Sequence, residues 1–264
     1  MSLLQLEHLS TGYLKYNKVI RSLQNNIHAV VEKGKLISLL GPNGTGKTTL
    51  LKTLLGFVPK IKGSVFYDGI PLESISPQTL ATKVSAVLTE RPDDLYLTAK
   101  EIILTGRYPY GTFWENNRAE DLEKVAFSAK TMGIEHLLAH PFHTLSDGEK
   151  QRVMIARALA QDTPLILMDE PTSFIDSPGK IELMETLKKI TNQGVSILAT
   201  LHDVELAIHY SDYLWVMDKK GGFEEGLPGQ LVVNGGINRA FDTQEVTFDR
   251  EKIKFIPIEK NKKT

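Results

Sequence analysis

An apolar run from Leu36 to Leu40 leads directly into Gly41-Pro42-Asn43-Gly44-Thr45-Gly46-Lys47-Thr48, and a helix-forming run from Thr48 to Leu55 leads out of it. This is the pattern G-x-x-x-x-G-K-[ST], set between a strand and a helix N-terminus as its chemistry requires. Glycines 41, 44 and 46 let the main chain come close to an anion, and backbone N–H groups with the helix dipole hold it. Lys47 is expected to reach the β- and γ-phosphates of a nucleoside triphosphate, and Thr48 to offer its hydroxyl to Mg²⁺. Thr49 continues the loop into the helix.

The composition suits a globular rather than a disordered chain. The 264 residues are 41% hydrophobic and 24% charged, enough for one large α/β domain or two small ones, with a sizeable core. A net charge of -1 argues against a nucleic-acid partner, which would select a basic surface. The absence of cysteine excludes disulfides and thiolate metal sites and fits a reducing compartment. No apolar run approaches the roughly 18–20 residues of a membrane span. The first ten residues lack a basic start and a long apolar core, so no signal peptide is expected.

Short apolar runs at 3–6, 27–31, 36–40, 64–67 and 84–88 read as strands. Residues 98–140 read as mostly helical, interrupted by Gly106, Pro109, Gly111 and Gly133. Continuous apolar runs at 165–168 and 195–200 suit strands buried on both faces of a parallel sheet. Helical patterns at 178–190 and 203–211 complete βαβ units. From 221 the pattern becomes short, Gly-rich and strand-like, ending in a basic tail with Lys260, Lys262 and Lys263.

Two further segments carry chemistry. Leu165 to Met168 ends in Asp169 and Glu170, at the strand edge where open α/β sheets bind ligands. Asp169 is placed to hold Mg²⁺ as a hard oxygen ligand, and Glu170 to orient or deprotonate an attacking water. An acidic pair that only caps the next loop is the plainer alternative, which the upstream phosphate loop disfavours. Leu145-Ser146-Asp147-Gly148-Glu149 precedes an amphipathic run, with Ser146 as its N-cap.

These segments together resemble the motifs of ABC ATPases. Leu145 to Glu149 is similar to their signature, usually Leu-Ser-Gly-Gly-Gln, and lies just upstream of the acidic strand. The resemblance implies a P-loop NTPase core of RecA-like α/β type, an antiparallel β subdomain, and a helical subdomain inserted at about 91–160. It implies an ATPase domain over 1–220 and a β-rich C-terminal extension, 221–264, packed on it. It also implies ATP and Mg²⁺ as cofactors and a head-to-tail homodimer, in which Ser146 and the Gly148 backbone of one subunit touch the γ-phosphate held by the other. Tyr13 resembles the aromatic residue that stacks on adenine, with Tyr16 as the alternative. Ser173-Phe174-Ile175-Asp176 resembles the D-loop, and His202, beside Asp203, the switch histidine that contacts the γ-phosphate.

The chain departs from the pattern at three positions. Glu90 stands where the family's Q-loop glutamine meets the metal, which keeps an oxygen ligand but adds charge. Asp147 and Glu149 replace the usual glycine and glutamine of the signature, and are expected to point outward. His136, His140 and His143 approach helical spacing but have no interleaved acid or thiol, so they read as ordinary histidines.

Leu97 to Leu104, followed by Gly106 to Tyr110, resembles the ATPase subunits of importers for ferric siderophores, haem and cobalamin. That likeness implies integral-membrane permease partners, an extracytoplasmic solute-binding protein, and a position at the cytoplasmic face of the membrane. A soluble ABC ATPase of an assembly or repair complex, and a regulatory ATP-binding subunit with weak hydrolysis, are the competing readings.

Overall fold

The computed structural model describes residues 2–16, 18–89, 96–111 and 119–258. The chain opens with a long hairpin, β1 (Ser2–Lys15) and β2 (Lys18–Glu32). Then come β3 (Leu36–Leu40), α1 (Lys47–Leu54), β4 (Lys62–Tyr67), β5 (Ile70–Pro71), α2 (Pro77–Leu80) and β6 (Val84–Val87). Three helices follow, α3 (Ala99–Leu104), α4 (Ala119–Thr131) and α5 (Asp147–Ala160). The chain then alternates through β7 (Leu165–Met168), α6 (Ser177–Asn192), β8 (Ser196–Thr200), α7 (Val204–Tyr210) and β9 (Tyr213–Met217). It ends in β10 (Phe223–Gly226), α8 (Pro228–Val233), α9 (Gly236–Phe241), β11 (Val246–Asp249) and β12 (Lys254–Pro257).

The central sheet has the order β10-β9-β3-β8-β7-β6. Its strands β9 to β6 run parallel, and β10 closes one edge antiparallel to β9. Residues of β3, β7 and β8 are buried throughout, because both faces of the sheet are covered. Their side chains alternate between two cores, as strand geometry requires. Leu36, Ile166, Met168 and Ile197 pack with α5 and α6. Ile37, Leu165, Leu167 and Leu198 pack with α1 and a four-stranded antiparallel sheet of order β2-β1-β4-β5. The loop after β3 thus leaves a strand held from both sides. Among the described residues no helix is long and apolar enough to cross a membrane.

Polar caps set the helix starts. Ser146 and Glu149 form a capping box at α5, while Asp176 caps α6 and Asp203 caps α7. The Gly106 to Tyr110 segment is a 3-10 turn rather than a plain break. It lies so close to α5 that a Cβ on Gly106 would come within 2.3 Å of the Arg157 carbonyl oxygen. Arg107 is buried there. It donates to Asp121 at 2.8 Å and to the Ala160 carbonyl at 3.0 Å, and its guanidinium stacks over Tyr110. Removing it leaves a part-buried carboxylate and a carbonyl without their donor. Arg107→Ala is therefore expected to cost about 2–4 kcal/mol, read as a lower urea midpoint.

Two elements differ from the sequence expectation. β9, a short apolar run after α7, pairs with β3 and extends the parallel sheet. The segment from 221, expected to be strand-like, also forms α8 and α9. Pro228 opens the first of these, and Gly235, with φ of 78°, caps the second. Its glycines serve as helix caps as well as turns. Leu231, Val232, Ile237 and Phe248 bury against the same core as Leu214 and Val216.

Candidate functional site

The loop between β3 and α1 is shaped from both ends. Gly46 holds φ of 100° at the N-cap of α1, a left-handed position that a side chain would strain. Behind the loop, buried Gln24 of β2 donates to the Thr45 carbonyl at 3.0 Å and to the Asp218 carbonyl at 3.1 Å. Thr45 turns inward and donates to the Pro42 carbonyl at 2.9 Å. Lys47 folds back so that its Nζ donates to the Gly41 carbonyl at 2.7 Å. Burial pushes the Lys47 ammonium below the ordinary lysine value, while the negative charges of Glu170 and Asp169 pull it back up. A cation kept partly desolvated beside a helix N-terminus suits an anion.

The two carboxylates leave β7 with opposite environments. Asp169 is buried, and its Oδ2 accepts from Thr48 at 2.9 Å and from Thr89 at 2.8 Å. Its Oδ1 accepts from Thr200 at 2.9 Å. Glu170 sits in a left-handed conformation, φ 52°, which turns its side chain out of the sheet line. Thr200 pins that turn by accepting from the Glu170 N–H at 2.8 Å. The Glu170 carboxylate then accepts from Ser173 at 3.0 Å and lies 2.5 Å from Nε2 of His202. So residues from β7, the following loop and the end of β8 converge on one point.

The cleft over the loop encloses about 480 Å³. Asn43, Gly44, Gly46, Lys47, Thr48 and Thr49 form its floor, with Glu170 and His202 on one side. Tyr13, half exposed, and Arg21 form its rim as directly paired residues of β1 and β2. Tyr16 is 90% exposed at the hairpin end and does not line the cleft. Arg21, Leu23, Gln24, Thr89 and Thr200 escaped the sequence reading. Each belongs to no contiguous motif, and the signals that could have marked them are weak: hydroxyls at strand ends facing an acidic pair, and a strand partner for Tyr13.

Ser146 and Gly148 do not join this cleft. They line a separate one of about 570 Å³ with Asp147, Phe174, Ile175 and Asp176, at the N-terminus of α5. There Glu149 turns back to Ser146, accepting from its N–H at 2.8 Å and its hydroxyl at 2.7 Å. Those bonds hold the Glu149 carboxyl below the usual carboxylate range. The acid at 149 is thereby explained as a helix cap. Glu90 lies outside the described residues.

A strand–loop–helix cradle, an inward lysine and paired acids at the end of a strand two places along the sheet define a P-loop nucleotide-binding protein. A family model described as ABC transporter matches residues 24–173. An uncharacterized ABC transporter ATP-binding protein of Methanocaldococcus jannaschii is 34% identical over 260 residues, 98% of this chain and 88% of that protein. The ferric enterobactin transport ATP-binding protein FepC of Escherichia coli is 31% identical over 244 residues, 92% of this chain and 88% of that protein. Among solved structures, cbiO1 from Clostridium perfringens, part of the ABC transporter complex cbiONQ, superposes with a TM-score of 0.76 at 26% identity, over 90% of this chain and 93% of that one. The chain belongs to the ABC transporter ATP-binding family, and it is an ATPase.

Proposed function

We propose that this chain is the ATP-hydrolysing subunit of an ABC importer for a ferric siderophore, haem or a related metal chelate. It works as a head-to-tail homodimer on the cytoplasmic face of a membrane permease, with an extracytoplasmic solute-binding protein in the same system. Residues 1–220 act as the ATPase domain, with the helical subdomain at about 91–160, and 221–264 as an extension packed on it. The likeness to the enterobactin transport protein supports the solute class.

The separation of the two clefts carries the dimer reading. Lys47, Thr48 and Glu170 line one, while Ser146 and Gly148 line another. A second copy, turned head to tail, supplies the Ser146 hydroxyl and the α5 N-terminus to the γ-phosphate held by the first. Lys47 and the loop N–H groups of Asn43 through Thr49 bind and orient the phosphates, with Gly41 and Pro42 shaping the start of the loop. His202 contacts the terminal phosphate, and Glu170 takes the proton of the attacking water. The Thr48 hydroxyl beside the buried Asp169 carboxylate is an oxygen-only donor set that fits Mg²⁺. When bound, the ion neutralises charge on the phosphate oxygens. Closure exists only while the γ-phosphate bridges the halves, so hydrolysis reopens the dimer.

A groove of about 670 Å³ between β6, α3 and α5 supports the permease partner. Phe57, Leu88, Leu97 and Tyr108 present an apolar lining there, with Phe57 67% exposed. A short helix of the permease fits such a groove. Recovery of the native membrane complex, with its permease and solute-binding protein identified, tests this reading. A stable partner found only in detergent-free lysate, with no permease, would overturn it. Tyr13 acts as the adenine platform. Tyr13→Ala is expected to raise KM for ATP about threefold to tenfold with kcat little changed, measured by steady-state ATPase kinetics.

A further inference from the structure

Away from the nucleotide cleft, two irregularities in the β1–β2 ladder face each other. The register runs from Leu6 opposite Ala29 to Leu9 opposite Ile27, so Glu7 and His8 together stand opposite the single residue His28. It then runs to Thr11 opposite Gln24, so Ser10 alone faces Asn25 and Asn26. Both bulges place a non-glycine residue in a left-handed conformation, His8 at φ 48° and Asn26 at φ 55°. Consecutive bulges on opposite strands re-aim side chains that a regular ladder would keep apart.

The result is a convergence of three polar atoms on the exposed face. His8 Nδ1 lies 2.8 Å from Asn26 Oδ1 and 2.9 Å from His28 Nε2. The two rings meet edge to face, with centroids 4.1 Å apart. Hydrogen bonding serves this arrangement poorly. With the Asn26 oxygen turned toward Nδ1, one proton on Nδ1 cannot lie along both lines, and a lone pair there faces that oxygen. A cation shared by both ring nitrogens and the amide oxygen removes the conflict.

We propose that His8, His28 and Asn26 form a site for a late first-row divalent metal ion, with Zn²⁺, Ni²⁺ and Cu²⁺ as the fitting class. Imidazole nitrogens select that class over Mg²⁺, which takes oxygen ligands. Tetrahedral Zn²⁺ at about 2.0–2.1 Å from each nitrogen sets them about 3.3 Å apart, so the rings need to open by only about 0.4 Å. Among the described residues no third histidine or carboxylate joins the pair. Water completes the coordination, and the site is an exchangeable one. An ion here ties β1 to β2 on the hairpin that carries Tyr13 and Arg21 to the rim of the nucleotide cleft.

The test uses the full chain without nucleotide or Mg²⁺. Zn²⁺ is titrated by calorimetry, with the melting temperature followed in parallel. One ion per chain and a raised melting temperature are expected. His28→Gln and His8→Asn, the latter tolerating the left-handed backbone, are each expected to weaken binding at least tenfold while melting like the parent in the absence of metal. His202→Gln, which removes the histidine–carboxylate pair of the nucleotide cleft, and His136→Gln are expected to leave this ion in place. Cu²⁺ is expected to bind more tightly than Ni²⁺ or Zn²⁺. No binding up to millimolar Zn²⁺, or undiminished one-to-one binding by the His8→Asn, His28→Gln double variant, overturns the assignment. Both readouts are independent of ATP, so they leave the transport reading untouched.

Discussion

Glu170→Gln is expected to lower ATP turnover by two to four orders of magnitude while leaving ATP binding intact. The amide keeps the shape of the side chain and can still bond to Ser173 and His202, whose atoms lie 3.0 Å and 2.5 Å from the present carboxylate. It cannot accept a proton from water, and general-base catalysis is worth about 10²–10⁴ in rate. The variant should therefore bind ATP, close, and fail to reopen. Single-turnover hydrolysis and solution scattering with saturating ATP and Mg²⁺ read the two halves of this prediction. Turnover within threefold of the parent would remove Glu170 from the role of base. A variant that remains monomeric even with its permease supplied would remove the shared-site dimer.

Lys47→Ala should act one step earlier, at binding. The ammonium donates to the Gly41 carbonyl, a contact that holds the side chain at the floor of the cleft. A triphosphate offers it charged oxygens instead, and charge-assisted bonds in such a setting contribute roughly 1.5–3 kcal/mol each. ATP affinity is expected to fall by one to two orders of magnitude, with hydrolysis falling further because transition-state charge loses its nearest fixed cation. Stability should not fall in parallel. The lysine is only 7% exposed, and its removal ends the cost of holding a desolvated charge. A melting temperature equal to or above that of the parent, with fluorescent-nucleotide binding lost, is the expected pair of results. A large loss of stability would mean that Lys47 is chiefly a structural residue.

Much of the site was legible in the chain because its parts are local. Gly41 to Thr49, Leu165 to Glu170 and Leu145 to Glu149 each specify a strand end, a turn or a helix start within a few residues. The alternation of apolar runs with helical patterns likewise implied a parallel sheet, since strands buried on both faces need crossover helices. β9 was harder to see, because five apolar residues after a short helix do not declare which neighbour they will pair with. The same holds for α8 and α9, where glycine reads equally as a turn or as a cap.

Residue order alone settled the phosphate loop, the acid pair and the capped start of α5, since each is decided by neighbours along the backbone. Only tertiary structure decided that Thr48 meets Asp169 across 121 positions, that Thr89 and Thr200 share that carboxylate, and that Gln24 braces the loop from behind. It alone put the signature serine in a different cleft from Lys47, and brought His8 beside His28. The physical reason is one of range. Turn and cap energies act over a few bonds, whereas these contacts depend on strand order and on bulges that are set only when whole sheets pack.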